Sequence, residues 1–147
     1  MTEVHLCSQI RRADQALAAR HEAVLRGFGL TMAQYMVLLH LSEATSMSGA
    51  QLARASGVTP QTMAPMLATL REKGLIAREP SAVHGKVMIA SLTGEGRAVL
   101  ERAHQQVVVL EEAFYAAFSP AERVTLAGLL ERAAAVLAEQ AAAHRSA

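Results

Sequence analysis

Residues 48–73 read SGAQLARASGVTPQTMAPMLATLREK. Ser48 and Gln51 stand at capping-box spacing, so a helix is predicted to open there. That helix is short. Leu52, Ala53 and Ala55 are its apolar residues, and Ser56-Gly57 ends it. Thr59 is a good N-cap, and Pro60 falls at the first helical position, where its missing N–H costs nothing. The second helix, over 59–73, carries Met63, Met66, Leu67 and Leu70 at i, i+3, i+4 and i+7. On a helical wheel these four share one face. Gln61, Pro65, Ala68 and Glu72 lie opposite, with Thr62, Ala64 and Thr69 on the flanks.

The outward face is small and polar near its N-terminus. A DNA major groove admits such a helix, with the first turns nearest the base edges. Gln and Thr can hydrogen-bond bases or phosphates, and the helix N-terminus itself favours a phosphate. The functional reading is therefore a helix-turn-helix with 59–73 as its recognition helix. The competing reading is an ordinary helical hairpin packed on a core. Pro65 is interior to the helix, and it is read as a kink that sets the angle of the first turn in the groove.

Immediately downstream the pattern changes from helical to extended. Leu75 to Glu79 and Val87 to Leu92 read as two strands around a loop holding Pro80, His84, Gly85 and Lys86. A hairpin directly after a recognition helix is the wing of a winged helix. Residues 51–86 hold Arg54, Arg71, Lys73, Arg78 and Lys86 against Glu72 and Glu79, a net +3, although the whole chain is only +1. The positive charge lies where a polyanion would need it. The residues expected to meet DNA are Ser48, Arg54, Thr59, Pro60, Gln61, Thr62, Pro65, Thr69, Arg78, His84 and Lys86.

Upstream, residues 3–27 read as a helix with Leu6, Ile10, Ala13, Leu17, Val24 and Phe28 recurring on one stripe, ended by Gly27-Phe28-Gly29. Thr31 with Gln34 is a second capping box. It opens a helix over MAQYMVLLHLSEA that is apolar almost all round and should lie deep. Thr45 to Met47 is expected to be a loop. Downstream, Thr93 caps a long helix to about Phe118, striped by Leu100, Ala103, Val107, Leu110, Phe114 and Phe118. Ser119-Pro120-Ala121-Glu122 is a third capping box, opening a helix over about 120–143 with Val124, Ala127, Leu130, Ala133 and Leu137. These stripes exceed what one small winged helix can cover. A second copy of the chain is the simplest cover, with an intramolecular three-helix pack as the alternative.

Together these pieces resemble the MarR family of transcriptional regulators. The matching segments are LTMAQYMVLLHLSE, GAQLARASGVTPQTMAPMLATLREKGLIARE, SLTGEGRAVL and SPAERVTLAGLLERA, which span nearly the whole chain. The resemblance implies an obligate homodimer bound to a pseudo-palindromic DNA site, often released by a small ligand or an oxidant. One position departs from the family. The wing usually carries an Asp two residues before an Arg, and here those positions are His84 and Lys86. Lysine cannot make arginine's planar fork. Cys7 stands as far before LTMAQY as the reactive cysteine of the peroxide-sensing OhrR-like branch. It lies near a helix start with Arg11 one turn on, and both features favour a thiolate. The tyrosines that partner the thiolate in that branch are replaced by Arg11, His21 and Met32. The alternative for Cys7 is a small buried apolar residue in the helix stripe.

The histidines, His5, His21, His40, His84, His104 and His144, include no i, i+4 pair, and only His40 and Glu43 stand at i, i+3. No metal and no cofactor are expected. His21, Met32 and Tyr35 are candidates to line a pocket for a small aromatic or phenolic ligand. No Gly-rich phosphate loop, paired carboxylates or nucleophile motif suggests an enzyme. No run of 18 apolar residues predicts a membrane span, and no secretory signal is visible in the opening residues. One cysteine suits a reducing compartment, so a cytoplasmic protein is expected. The expected fold is mostly α: one domain over 1–147, a winged helix-turn-helix over 31–92 with a two-stranded wing, and dimerisation helices over 3–27 and 95–143. The expected function is a DNA-binding regulator, a repressor in the sense that the family resemblance carries. The alternative is a dimeric small-molecule binder on the same fold that does not bind DNA.

Overall fold

A computed structural model describes residues 5–145, with backbone alone for 142, 144 and 145. Residues 3 and 4 of the first predicted helix, and the side chain of His144, lie outside what is described. The elements run α1 (Leu6–Arg26), α2 (Met32–Ala44), β1 (Ser46–Ser48), α3 (Gly49–Ser56), α4 (Pro60–Glu72), β2 (Ile76–Pro80), β3 (Met88–Leu92), α5 (Gly94–Tyr115) and α6 (Pro120–Arg145). The chain falls into two compact units, 1–107 and 108–147.

The local signals explain the boundaries. Thr31 Oγ1 accepts the Gln34 N–H while Gln34 Oε1 accepts the Thr31 N–H. Ser48 and Gln51 make the same reciprocal pair at α3. Gly57 ends α3 with φ 66°, a left-handed conformation that costs glycine nothing. Thr59 Oγ1 accepts the Thr62 N–H ahead of Pro60. Each pair satisfies amides that a helix start leaves without partners.

The first unit is built on one core. Leu25, Val37, Leu38, Leu41, Leu52, Met63, Leu67, Leu70 and Ile76 are essentially buried in it, joined by Leu75, Ala90, Val99, Leu100 and Ala103. Met63, Leu67 and Leu70 of the predicted α4 stripe are buried, while Met66 is half-buried against them. The α2 prediction holds as well, with Tyr35, Val37, Leu38 and Leu41 inside. In α1 the expected stripe divides. Leu6, Ile10 and Leu17 are exposed, Val24 and Phe28 pack on the core, and the buried residues are His21 and Leu25.

The wing hairpin is present, with β2 and β3 antiparallel from Ile76↔Leu92 to Pro80↔Met88. Its sheet also has a third strand. β1 pairs with β3 through Ser46↔Ser91, Met47↔Ala90 and Ser48↔Ile89, giving the order β1-β3-β2. Residues 46 and 47 were expected in a loop. Their strand character comes from pairing with a partner more than 40 residues away, which local sequence does not signal. α5 ends at Tyr115 rather than near Phe118, because residues 116–118 turn toward α6. In the second unit, Ser119 and Glu122 form the expected capping box, and Arg123 Nε donates to the Tyr115 and Phe118 carbonyls.

Candidate nucleic-acid interface

The arrangement that presents α4 starts at the two tight breaks on either side of it. Gly57 turns the chain sharply between α3 and α4, and Val58 N–H bonds the Ala53 carbonyl across that turn. The C-terminal end of α4 is closed by Gly74 at φ 73°, with Leu75 N–H on the Leu70 carbonyl. Between these fixed ends α4 buries one face and exposes the other. Gln61, Thr62, Ala64, Pro65, Ala68 and Glu72 are all exposed.

The predicted contact residues divide into two groups. Arg54, Pro60, Gln61, Pro65, His84 and Lys86 are exposed, and their side chains have no partner among the hydrogen bonds described. The others are engaged in the chain's own structure. Ser48 and Thr59 accept backbone N–H groups as caps. The Thr59 hydroxyl donates to Thr62 Oγ1 at 3.0 Å. The Thr69 hydroxyl donates to the Pro65 carbonyl at 3.1 Å, one turn back along the helix. Thr62 accepts there and keeps its own O–H to donate, and Thr69 donates and keeps acceptor capacity, so both can still take a contact.

Arg78 lies on β2 and is half-buried, with its Nε buried and without a hydrogen-bond partner among the described residues. One of its terminal nitrogens stands close to Gly49, at the start of α3. With Arg71, Glu72, Ala64 and Ala68 it lines a shallow groove of about 170 Å3 along the exposed side of α4. Arg71 was not among the predicted contacts, although it lies one turn after Ala68 and Leu67 on the same helix. Its signal was the charge run Arg71-Glu72-Lys73, which sequence reading used only as a sum.

The wing tip is ordered by its own backbone. Ser81 Oγ accepts the Val83 and His84 N–H groups at 3.3 and 3.2 Å. Ser81 N–H donates to the Val87 carbonyl, and Val87 N–H to that of His84. The hairpin end therefore has a defined turn despite the missing Asp, and it displays Val83, His84 and Lys86 outward.

Of the ligand candidates, His21 and Tyr35 are buried, whereas Met32 is 38% exposed. Tyr35 Oη lies 2.7 Å from His104 Nδ1, and the rings stack with centroids 6.3 Å apart. His104 was not anticipated as a partner, since 69 residues separate the pair. Cys7 is exposed at the start of α1 in the single chain. His40 is half-buried with its Nε2 lacking a partner among the described residues. No group of three or more His, Cys, Asp or Glu side chains is gathered for a metal among the described residues. No helix among them is long and apolar enough to cross a membrane.

A profile of the MarR family matches residues 28–86. The chain is 38% identical over 96 residues to the HTH-type transcriptional repressor Rv2887 of Mycobacterium tuberculosis, covering 65% of this chain and 69% of that protein. Among solved structures, a mutant MarR from Escherichia coli complexed with operator DNA superposes with a TM-score of 0.80 at 25% identity, over 88% of this chain and 94% of that one. The Mycobacterium tuberculosis MarR family protein Rv2887 in complex with salicylic acid superposes with a TM-score of 0.66 at 30% identity, over 89% and 97%.

Proposed function

Because the chain belongs to the MarR family of DNA-binding transcriptional regulators, we propose that it is a homodimeric repressor that holds a pseudo-palindromic operator through α4 and the wing. The observation that carries this reading is the exposed first half of α4. Gln61, Thr62 and Pro65 stand out from a helix whose opposite face is locked into the core, with Arg71 and Arg78 beside it. Gln61 and Thr62 read bases, while Arg54, Arg71, Arg78 and Lys86 neutralise phosphates. Gln61→Ala is expected to cost about 1–3 kcal/mol of binding and to relax sequence preference. Lys86→Ala is expected to weaken all duplexes alike and to reduce the salt slope by about 1. If both variants keep wild-type affinity and slope, this docking is wrong and a small-molecule binder on the same fold takes its place.

The proposed release signal is a small aromatic acid or phenol. Support comes from the relative solved with salicylic acid and from the Tyr35–His104 pair, in which the hydroxyl of buried Tyr35 meets the imidazole of exposed His104. Titrating salicylate into the protein–duplex complex should displace DNA, and Tyr35→Phe should shift that titration. A second reading uses an oxidant at Cys7, favoured by the exposure of its thiol. Cys7→Ser separates the two: it abolishes release by an organic peroxide and leaves salicylate release intact. Acting on DNA as such a repressor would put the protein in the cytoplasm.

A further inference from the structure

Lys73 closes α4 at the end away from Gln61, and its side chain is already occupied. Its Nζ lies 2.6 Å from the Gly29 carbonyl oxygen and 3.3 Å from Gln34 Oε1. Gly29 belongs to the turn between α1 and α2, where it adopts φ 68°. Gln34 is the capping-box residue of α2, buried, and the same Oε1 accepts the Thr31 N–H at 3.1 Å. An amide oxygen has two lone pairs, so Lys73 and Thr31 use both. One ammonium group thereby ties together the turn after α1, the first turn of α2 and the last turn of α4. The main chain beside it is fixed too. Gly74 N–H bonds the Arg71 carbonyl, and the Thr93 hydroxyl donates to the Gly74 carbonyl at 2.6 Å.

We propose that Lys73 is a positioning residue for base reading, not one of the phosphate contacts that its charge and location suggest. The inference rests on the operator reading above. α4 is otherwise held mainly by Met63, Leu67 and Leu70, whose burial is favourable but non-directional. A hydrogen bond to a charged group is directional and short. Lys73 supplies that restraint at one end of a lever whose other end carries Gln61 and Thr62. The lever is about 18 Å long, so a tilt of about 5° at the Lys73 end moves the first turn by roughly 1.5 Å. Such a displacement breaks hydrogen bonds to base edges, which tolerate only a few tenths of an ångström. Contacts to phosphates made by long flexible side chains survive it.

The test uses the full chain and a duplex enriched by the wild-type protein from a random pool, with a scrambled duplex as control. Lys73→Met is expected to weaken binding to the enriched duplex roughly three- to thirty-fold. Binding to the scrambled duplex and the slope of log affinity against log salt should stay at wild-type values. Gln34→Met, which removes no charge but also takes the acceptor from the Thr31 N–H, should give a loss of the same kind, and the double variant should lose less than the sum of the two. Lys73→Arg, which can still donate to the same carbonyl, should recover most of the loss. A merely structural lysine would lower the melting temperature without changing the ratio of enriched to scrambled affinity below it, and that result overturns the proposal. So does wild-type affinity in Lys73→Met, or additive losses in the double variant. Equal weakening on both duplexes with a slope shallower by about 0.9 makes Lys73 a phosphate contact and also overturns it. Should Lys73→Met not fold, Gln34→Met carries the same comparison. A wild-type chain that enriches no duplex is a separate result, which removes the operator reading itself.

Discussion

A methyl group at position 96 would overlap the Leu75 carbonyl. Gly96 lies in the first turn of α5, where Thr93 Oγ1 accepts its N–H and the Thr93 N–H bonds that same Leu75 carbonyl. The missing side chain lets α5 start directly against the strand that follows α4. The obstacle is backbone, which cannot rotate away as a side chain would. Gly96→Ala should therefore destabilise the protein by roughly 2–4 kcal/mol, measured by denaturant unfolding, although alanine is the better helix former. A different residue governs acid behaviour at the start of α6. The Ser119 backbone N–H, and then its hydroxyl, hold the Glu122 carboxyl below its ordinary value of 4.5. The folded value is thus lower than the unfolded one. Glu122 contributes stability at pH values above about 4.5, and the contribution disappears as pH falls through the folded value. Glu122→Gln keeps a capping residue but has no proton to bind. Its melting temperature should fall below wild type at pH 7, and the gap should close as pH falls below about 4.5.

Pro65 tests how far α4 is shaped for its groove rather than for stability. It cannot donate to the Gln61 carbonyl, yet α4 runs unbroken from Pro60 to Glu72, and the Thr69 hydroxyl bonds the Pro65 carbonyl from the next turn. An exposed interior proline costs on the order of 3 kcal/mol against alanine. Pro65→Ala should raise the melting temperature while lowering affinity for the enriched duplex. A variant equally stable and equally tight would remove any role for the proline. The wing allows the opposite experiment. Ser81→Ala removes the acceptor for two turn amides at an exposed tip. It should weaken DNA binding, read by fluorescence anisotropy, with little change in melting temperature. At this scale the sequence was highly legible where signals are local. Ser48 with Gln51, Thr31 with Gln34, Thr59 with Pro60, and Ser119 with Glu122 each announce a helix start within four residues, and each stands where expected. The elements that escaped depend on distant partners. β1 exists because Ser46 to Ser48 pair with Ile89 to Ser91, and the Tyr35–His104 contact and the Lys73 bonds to Gly29 and Gln34 cross 69, 44 and 39 residues. Nothing in their neighbours encodes them.

The largest unexplained feature of the isolated chain is its exposed apolar surface. In the first unit, Leu6, Ile10 and Leu17 of α1 are 68%, 39% and 43% exposed. In the second, Val124, Leu129, Leu130, Val136 and Leu137 of α6 are between 47% and 75% exposed, and a groove of about 360 Å3 runs past Phe118, Leu126 and Leu129. Surface of this kind favours association, and a second copy of the chain is the proposed cover. Sedimentation at micromolar concentration should give a dimer. A folded monomer there would remove the symmetry on which a pseudo-palindromic site depends. That symmetry and the exposed face of α4 meet in one experiment, the selection of duplexes from a random pool by the purified protein, followed by footprinting of the enriched sequence. Two recognition helices related by a two-fold axis reach successive major grooves on one side of the DNA. The enriched duplex should therefore contain two inverted half-sites whose centres are about 10 base pairs apart, both protected, with Gln61→Ala relaxing the preference at matching positions in each. Enrichment of no sequence, or of a single unpaired site protected by a monomer, would contradict the proposed mode of action.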